Sequence, residues 1–196
     1  MTVRLLAFAG STRAGSLNQA LLDLAVAEAR GRGAEVTEIR LKDFDLPLYD
    51  ADLERAGFPV AARELRELFF AHHGFLIASP EYNGSVTGVL KNAIDWASRP
   101  LEGNPASIIA GFRGKVAGLM AASNSPFGGL RSVTHLRQIL ATIQSVVVTE
   151  QVLLPAASAA FDEAGKLKDP LPAQLLGAMA ARVVEMAERL QPPVTA

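Results

Sequence analysis

Short apolar runs alternate along this chain with longer stretches whose apolar residues recur at helical spacing. Residues 3–9 form an apolar run short enough for a buried strand, and Leu17, Leu21, Leu24, Ala25 and Glu28 behind it follow helical spacing. Gly31-Arg-Gly33 is a stop signal, and residues 34–41 alternate as a strand does. Residues 42–50 have no period and contain Pro47, which predicts a long loop. The spacing then predicts a helix over 60–72, with Leu65, Leu68 and Phe69 on one face, and an apolar strand over 74–78. A turn at 79–84 leads into a helix from about 85 to 98, whose apolar face is Val86, Val89, Leu90, Ala93, Ile94 and Ala97. After a loop over 99–113 come a fourth strand at 115–122, a glycine- and serine-rich turn at 123–129, a helix at 130–142 and a β-branched strand at 145–149. The tail loops through 162–165. Asp169 and Pro170 start a last helix carrying Leu175, Leu176, Met179, Val183 and Leu190.

Alternating strands and helices, with mostly apolar strands, predict a parallel sheet covered on both faces and joined by right-handed crossovers. Neither a repeat nor a linker interrupts the pattern, so residues 1–196 are expected to form one domain. Ligands of such sheets bind beyond the carboxyl ends of the strands. The turns after the first, third and fourth strands all fall at that edge.

The first turn is Gly10-Ser-Thr-Arg-Ala-Gly-Ser-Leu-Asn18. A strand, a hydroxyl- and glycine-rich turn and a helix start together make an anion site, because free N–H groups and the positive end of the helix dipole face the turn. Ser11, Thr12, Ser16 and Asn18 add donors, and Arg13 adds a planar fork suited to phosphate. Ser16-Leu17 follows Gly15 where a nucleoside-triphosphate loop needs Lys and then Ser or Thr, and the third glycine of a dinucleotide turn is also missing. A terminal monophosphate fits better. Ser16 and Gln19 also read as a capping box, and the two readings are compatible.

The second turn, Pro80-Glu-Tyr-Asn-Gly84, joins a stiff proline to an Asn-Gly pair that tolerates positive φ and frees backbone N–H groups. It suits a planar heterocycle and equally an ordinary strand-to-helix connection capped by Ser85. The third, Ser123-Asn-Ser-Pro-Phe-Gly-Gly129, reads as a plain glycine loop or as a further set of donors. The adjacent His72 and His73 point in different directions and have no third ligand nearby, so no metal is expected. His135 and Trp96 read as packing or interface residues.

Composition narrows the partners. The formal net charge of −1 gives no electrostatic reason to expect nucleic acid or an anionic membrane. The absence of cysteine excludes disulfides and thiolate chemistry. The first apolar run is broken at Gly10 and Arg13, too early for a signal peptide or a spanning helix. A soluble cytoplasmic protein is expected.

Two long motifs in order then carry a resemblance. Gly10-Ser-x-Arg-x-x-Ser-x-Asn18 and Pro80-Glu-Tyr-Asn-Gly-Ser-x-x-Gly-x-Leu-Lys-Asn-Ala-Ile-Asp-Trp96 resemble the NAD(P)H-dependent FMN reductases, and most of all their quinone and chromate reductase branch. Residues 46–52, 57–59, Gly128-Gly129 and 135–140 look similar to that branch too, so the likeness spans about residues 3 to 190. It implies a flavodoxin-like three-layer α/β/α fold with a five-stranded parallel sheet, FMN as cofactor and NADPH or NADH as hydride donor. It implies that Ser11, Arg13, Ser16 and Asn18 hold the FMN phosphate. Pro80, Glu81, Tyr82, Asn83 and Gly84 would line the flavin ring, with Ser123 and Gly128 on its other side. No catalytic side chain is implied, since the flavin carries the chemistry. The acceptor would be a quinone, azo compound, free flavin or metal oxyanion, reduced in ping-pong order. A homodimer or homotetramer is also implied, and Tyr82, Val86, Leu90 and Trp96 supply apolar surface for a contact. Val133-Thr134 departs from the polar or aromatic pair common in related chains. The rival reading is a flavodoxin-type electron carrier without a substrate of its own. Such carriers are strongly acidic and clamp phosphate without arginine. A phosphate-dependent hydrolase on the same topology lacks a nucleophile or metal cluster here.

Overall fold

The computed structural model describes residues 2–190. Five strands, β1 (Arg4–Ala9), β2 (Glu35–Arg40), β3 (Gly74–Ala78), β4 (Val116–Ala122) and β5 (Val146–Leu154), form an all-parallel sheet in the order β2-β1-β3-β4-β5. β3 and β4 are buried along their whole length and β1 at every position but its first, because helices cover both faces. β2 lies at an edge and has no fully buried position, which explains why its sequence alternates. Helices α1 (Leu17–Gly31) and α7 (Pro170–Arg189) pack on one face against Leu5, Ala7, Leu76 and Met120. Helices α3 (Val60–Ala71), α4 (Gly88–Ala97) and α5 (Leu130–Thr142) pack on the other against Leu6, Phe8, Ile77 and Leu119. Successive strand residues thus feed two separate cores. This is the flavodoxin-like arrangement, with its strand order reversing between β1 and β3.

Two boundaries differ from the sequence reading by three residues or more, and short helices are added. The helix expected from about residue 85 begins at Gly88, and Thr87 caps it by accepting from Leu90 N–H at 3.3 Å. Ser85 is held instead in a tight turn with Tyr82, through backbone bonds of 2.9 and 3.0 Å. β5 continues past residue 149 to Leu154. Its polar residues Glu150 and Gln151 hide the strand in sequence but are paired with Arg182 and Arg137, both at 3.1 Å. A short helix, α2 (Ala51–Ala56), follows the loop at 42–50, and Asp50 caps it. One further short helix, α6 (Ala157–Ala160), follows β5.

Half of the residues expected to supply apolar surface for a subunit contact are internal, while Tyr82 is 58% exposed. Leu90 and Trp96 are fully buried within the chain. Trp96 stacks edge-on with Tyr49 and Phe58, at ring distances of 5.0 and 5.3 Å. Trp96 Nε1 and Asn92 Nδ2 both donate to the Pro47 carbonyl at 2.8 Å, and Asn92 Oδ1 accepts from Tyr49 N–H at 2.8 Å. The Asn and Trp of the second motif therefore brace the 44–50 loop against α4.

Candidate functional site

β1 delivers the chain to Gly10, whose N–H donates to the Ala78 carbonyl at 2.8 Å and whose carbonyl accepts from Thr87 Oγ1 at 2.7 Å. A side chain at Gly10 would stand 3.0 Å from Leu90 and Thr87, so only glycine lets α4 approach this closely. The turn then leaves the sheet and enters α1 at Ser16. Ser16 Oγ accepts from Gln19 N–H at 3.3 Å, which is half of the expected capping box. The other half is absent, because Gln19 Nε2 donates to Asp23 at 2.7 Å rather than Gln19 reaching back to Ser16 N–H. Among the described residues, the backbone N–H groups of 11 to 16 find no acceptor within the chain. Arg13 makes no ion pair there either. These donors sit at the positive end of a fifteen-residue helix, an arrangement that attracts an anion.

The second turn is tied to α5. Gly129, at φ 88°, is the helix cap and supplies no side-chain acceptor; a side chain there would come within 2.5 Å of Ala121 Cβ. Glu81 replaces that acceptor from another loop. Its carboxylate accepts from Arg131 N–H at 3.0 Å, Ser132 N–H at 3.4 Å and Arg131 Nε at 2.7 Å. Burial alone would raise its carboxyl, but the guanidinium and the two N–H groups prevail and hold it below the usual glutamate range. Ser132 Oγ also donates to the Pro80 carbonyl at 2.9 Å. Asn83 and Gly84 follow with φ of 51° and 77°, the left-handed pair that an Asn-Gly turn accommodates.

The third turn is anchored to the segment after β5. Ser123 N–H donates to the Leu154 carbonyl at 3.0 Å, and Asn124 Oδ1 accepts from Ser158 N–H at 2.8 Å. All three turns meet around a cleft of about 160 Å³.

Comparison with known proteins decides the family. The sequence model of the NADPH-dependent FMN reductases matches residues 3–159. The chain belongs to that family. It is 40% identical to an NAD(P)H-dependent FMN reductase of Pseudomonas aeruginosa over 176 residues, 89% of either chain. It is 38% identical over 140 residues to an NAD(P)H:quinone oxidoreductase of Solanum tuberosum, covering 70% of this chain and 66% of the other. Among solved structures it superposes with a TM-score of 0.77 on FerB, a flavoenzyme NAD(P)H:(acceptor) oxidoreductase from Paracoccus denitrificans, at 28% identity. That match covers 96% of this chain and 98% of FerB. The chain is thus an oxidoreductase of a family that works with FMN and a nicotinamide donor.

Most of the residues expected at a flavin site in this family line the cleft. The first turn contributes Ser11, Arg13, Ser16 and Asn18, the second Pro80, Glu81 and Tyr82, and the third Ser123. Asn83, Gly84 and Gly128 do not line it. Gly84 lies beside Arg131, and Gly128 presses against the backbone of Leu154 and Pro155. Four of these eight lining residues have side-chain partners within the fold: Glu81 holds α5, Asn18 bonds the backbone of Ala122, Ser16 Oγ accepts from Gln19 N–H and Ser123 Oγ accepts from Ser125 N–H. Leu17, Ala122 and Asn124 also line the cleft. Asn124 was legible as a neighbour of Ser123, whereas Leu17 and Ala122 are apolar and carry no chemical signal. His72 bonds Thr37 Oγ1 at 2.8 Å and the Leu68 carbonyl at 2.6 Å, and His135 bonds Ser85 Oγ at 3.0 Å. Among the described residues, no group of three or more His, Asp or Glu is placed to share a metal ion. No described helix is long and apolar enough to cross a membrane.

Proposed function

We propose that this chain is an FMN-dependent NAD(P)H oxidoreductase of the cytoplasm, taking hydride from NADPH or NADH and delivering it to a small acceptor in ping-pong order. The acceptor class is quinone, free flavin, azo compound or metal oxyanion, as in the quinone and chromate reductase branch. The observation that carries this reading is the row of N–H groups at 11–16 beside Arg13, none of which has a partner among the described residues. A phosphate monoester fits that set, having three terminal oxygens that each accept more than one hydrogen bond and a charge for the guanidinium. Ser11, Arg13 and Ser16 would hold the FMN phosphate, and the family pattern adds Asn18. Pro80, Glu81, Tyr82, Asn83 and Gly84 would border the flavin ring, with Ser123 and Gly128 on its other side. Bound FMN would supply the hydride relay. The chain's own part is to orient that ring, and to set backbone donors where negative charge develops on reduction. Glu81 is ion-paired and its carboxyl is held low, so it is not placed to act as a general acid. Arg13 and a net charge of −1 both count against the electron-carrier alternative.

A homodimer or homotetramer is part of the proposal. Its support is the exposed apolar surface of Tyr82 beside the cleft and of Phe127 and Leu130 in the third turn and at the start of α5. The test is direct. The purified protein should be yellow, release about one FMN per chain on denaturation and scatter light as at least a dimer. With NADPH and a small quinone, double-reciprocal plots should be parallel, because donor and acceptor use one site in turn. A folded protein that neither contains nor takes up FMN would falsify the assignment. Intersecting lines would remove the shared site, and a monomeric mass would remove the oligomer.

A further inference from the structure

Asn18 is the second residue of α1 and is 5% exposed. Both ends of its amide are taken by one residue. Nδ2 donates to the Ala122 carbonyl at 2.8 Å, and Oδ1 accepts from Ala122 N–H at 2.9 Å. The pairing fixes the amide orientation, since a flipped amide would face donor with donor and acceptor with acceptor. The two residues are 104 positions apart. β1 and β4 are not neighbours in the sheet; β3 stands between them, and its carboxyl end carries Pro80 of the second turn. Ala122 is the last residue of β4, and the next residues, Ser123 and Asn124, line the cleft opposite the first turn. One buried side chain therefore sets the spacing of two cleft walls. Water cannot take its place easily at this burial, so its loss would leave Ala122 N–H and C=O short of a partner.

We propose that Asn18 is a positioning residue of the flavin site, acting by tying the first turn to the end of β4 rather than by binding phosphate. The inference rests on the flavin-binding reading above. It assigns the phosphate to the unpartnered donors of 11–16 and Arg13 and removes the Asn18 side-chain amide from that set.

The experiment titrates FMN and riboflavin into flavin-free wild type and Asn18→Ala, well below the melting temperature of either. Riboflavin has the same ring and lacks the phosphate. A tether that sets cleft width should matter equally to both, so each ligand is expected to bind on the order of tenfold more weakly. Hydrogen exchange at Ala122 N–H in the flavin-free variant should accelerate by a similar factor, while the amides of β1 stay protected. A loss confined to FMN would make Asn18 a phosphate ligand and overturn the proposal. A lowered melting temperature with both affinities unchanged would leave only a structural role and overturn it too. Should Asn18→Ala not fold, Asn18→Ser is titrated against the same criteria, its hydroxyl being too short to reach both groups of Ala122. Flavin-free wild type gives a reading that needs no variant: protection at Ala122 equal to the interior of β4 is expected, and fast exchange there would overturn the tether. Wild type that binds neither flavin would instead sink the flavin-binding reading, while exchange at Ala122 still decides whether the tether exists.

Discussion

At the amino end of the sheet, His72, Arg113 and Lys115 line a cavity of about 250 Å³, larger than the 160 Å³ cleft at the carboxyl end. Arg4 is bonded beside it. By cavity size and cation count this end would be the better anion site. Its cations, however, already have partners within the fold, Arg113 Nε donating to Gln144 Oε1 at 2.9 Å. Lys115 Nζ donates to the carbonyls of Phe69 and Phe70, and Arg4 donates to that of Ala71 from Nε at 3.1 Å and Nη2 at 2.9 Å. These are the last carbonyls of α3, a helix with no basic residue in its own final turn. The carboxyl end has the opposite polarity, because in a parallel sheet with crossover helices the helix starts gather there. The N–H groups of 11–16 and Arg13 keep their capacity for a ligand. Unpartnered donors, not volume or charge count, distinguish the proposed site.

The sharpest way to break this contrast is Arg13→Ala. A charge-assisted bond is worth about 1.5–3 kcal/mol, so FMN affinity should fall by one to a few orders of magnitude. Riboflavin should lose little, and Arg13→Lys should recover only part of the difference, because an ammonium cannot fork. Isothermal titration of both ligands checks this, and equal losses for the two would place Arg13 in the fold or ring pocket instead.

Glu81→Gln tests whether a cleft residue can belong mainly to the fold. It removes the charge from the bonds to Arg131 and the α5 start and should cost about 2 kcal/mol of stability. A carboxyl held below its ordinary value stabilises the fold above that value and loses this contribution as pH falls through the folded pKa. Wild type should therefore lose stability below about pH 4.5, and denaturant melts should show a shallower acid loss in the variant. An unchanged acid limb would mean that Arg131 and Glu81 do not pair in solution.

Lys115→Met is the smallest effect and the control from the other end. Leaving the α3 carbonyls without their ammonium should cost about 1 kcal/mol, with FMN affinity unmoved. Burial, with Arg4 nearby, lowers the Lys115 ammonium to about 8. The unfolded chain keeps that proton to about pH 10.4, so the unfolded state binds more protons in the window between, and stability should rise with pH across it. Melts of wild type should show that rise and the variant should not. A loss of FMN affinity in Lys115→Met would erase the distinction between the two ends.

The sequence by itself determined the order of strands and helices, the parallel sheet, the edge where the three turns gather and the donors of the first turn. Those features follow from local causes: apolar period, Gly10 and Gly15 at the turn, and Ser16 at a helix start. Tertiary structure decided which polar groups remain for a ligand. Asn18 meets Ala122 across the sheet, Glu81 serves α5, Trp96 and Leu90 face the core, and Gln19 turns to Asp23. A residue's donors are written in its type, but whether they are already taken depends on partners up to a hundred positions away. Only the packed chain sets those distances.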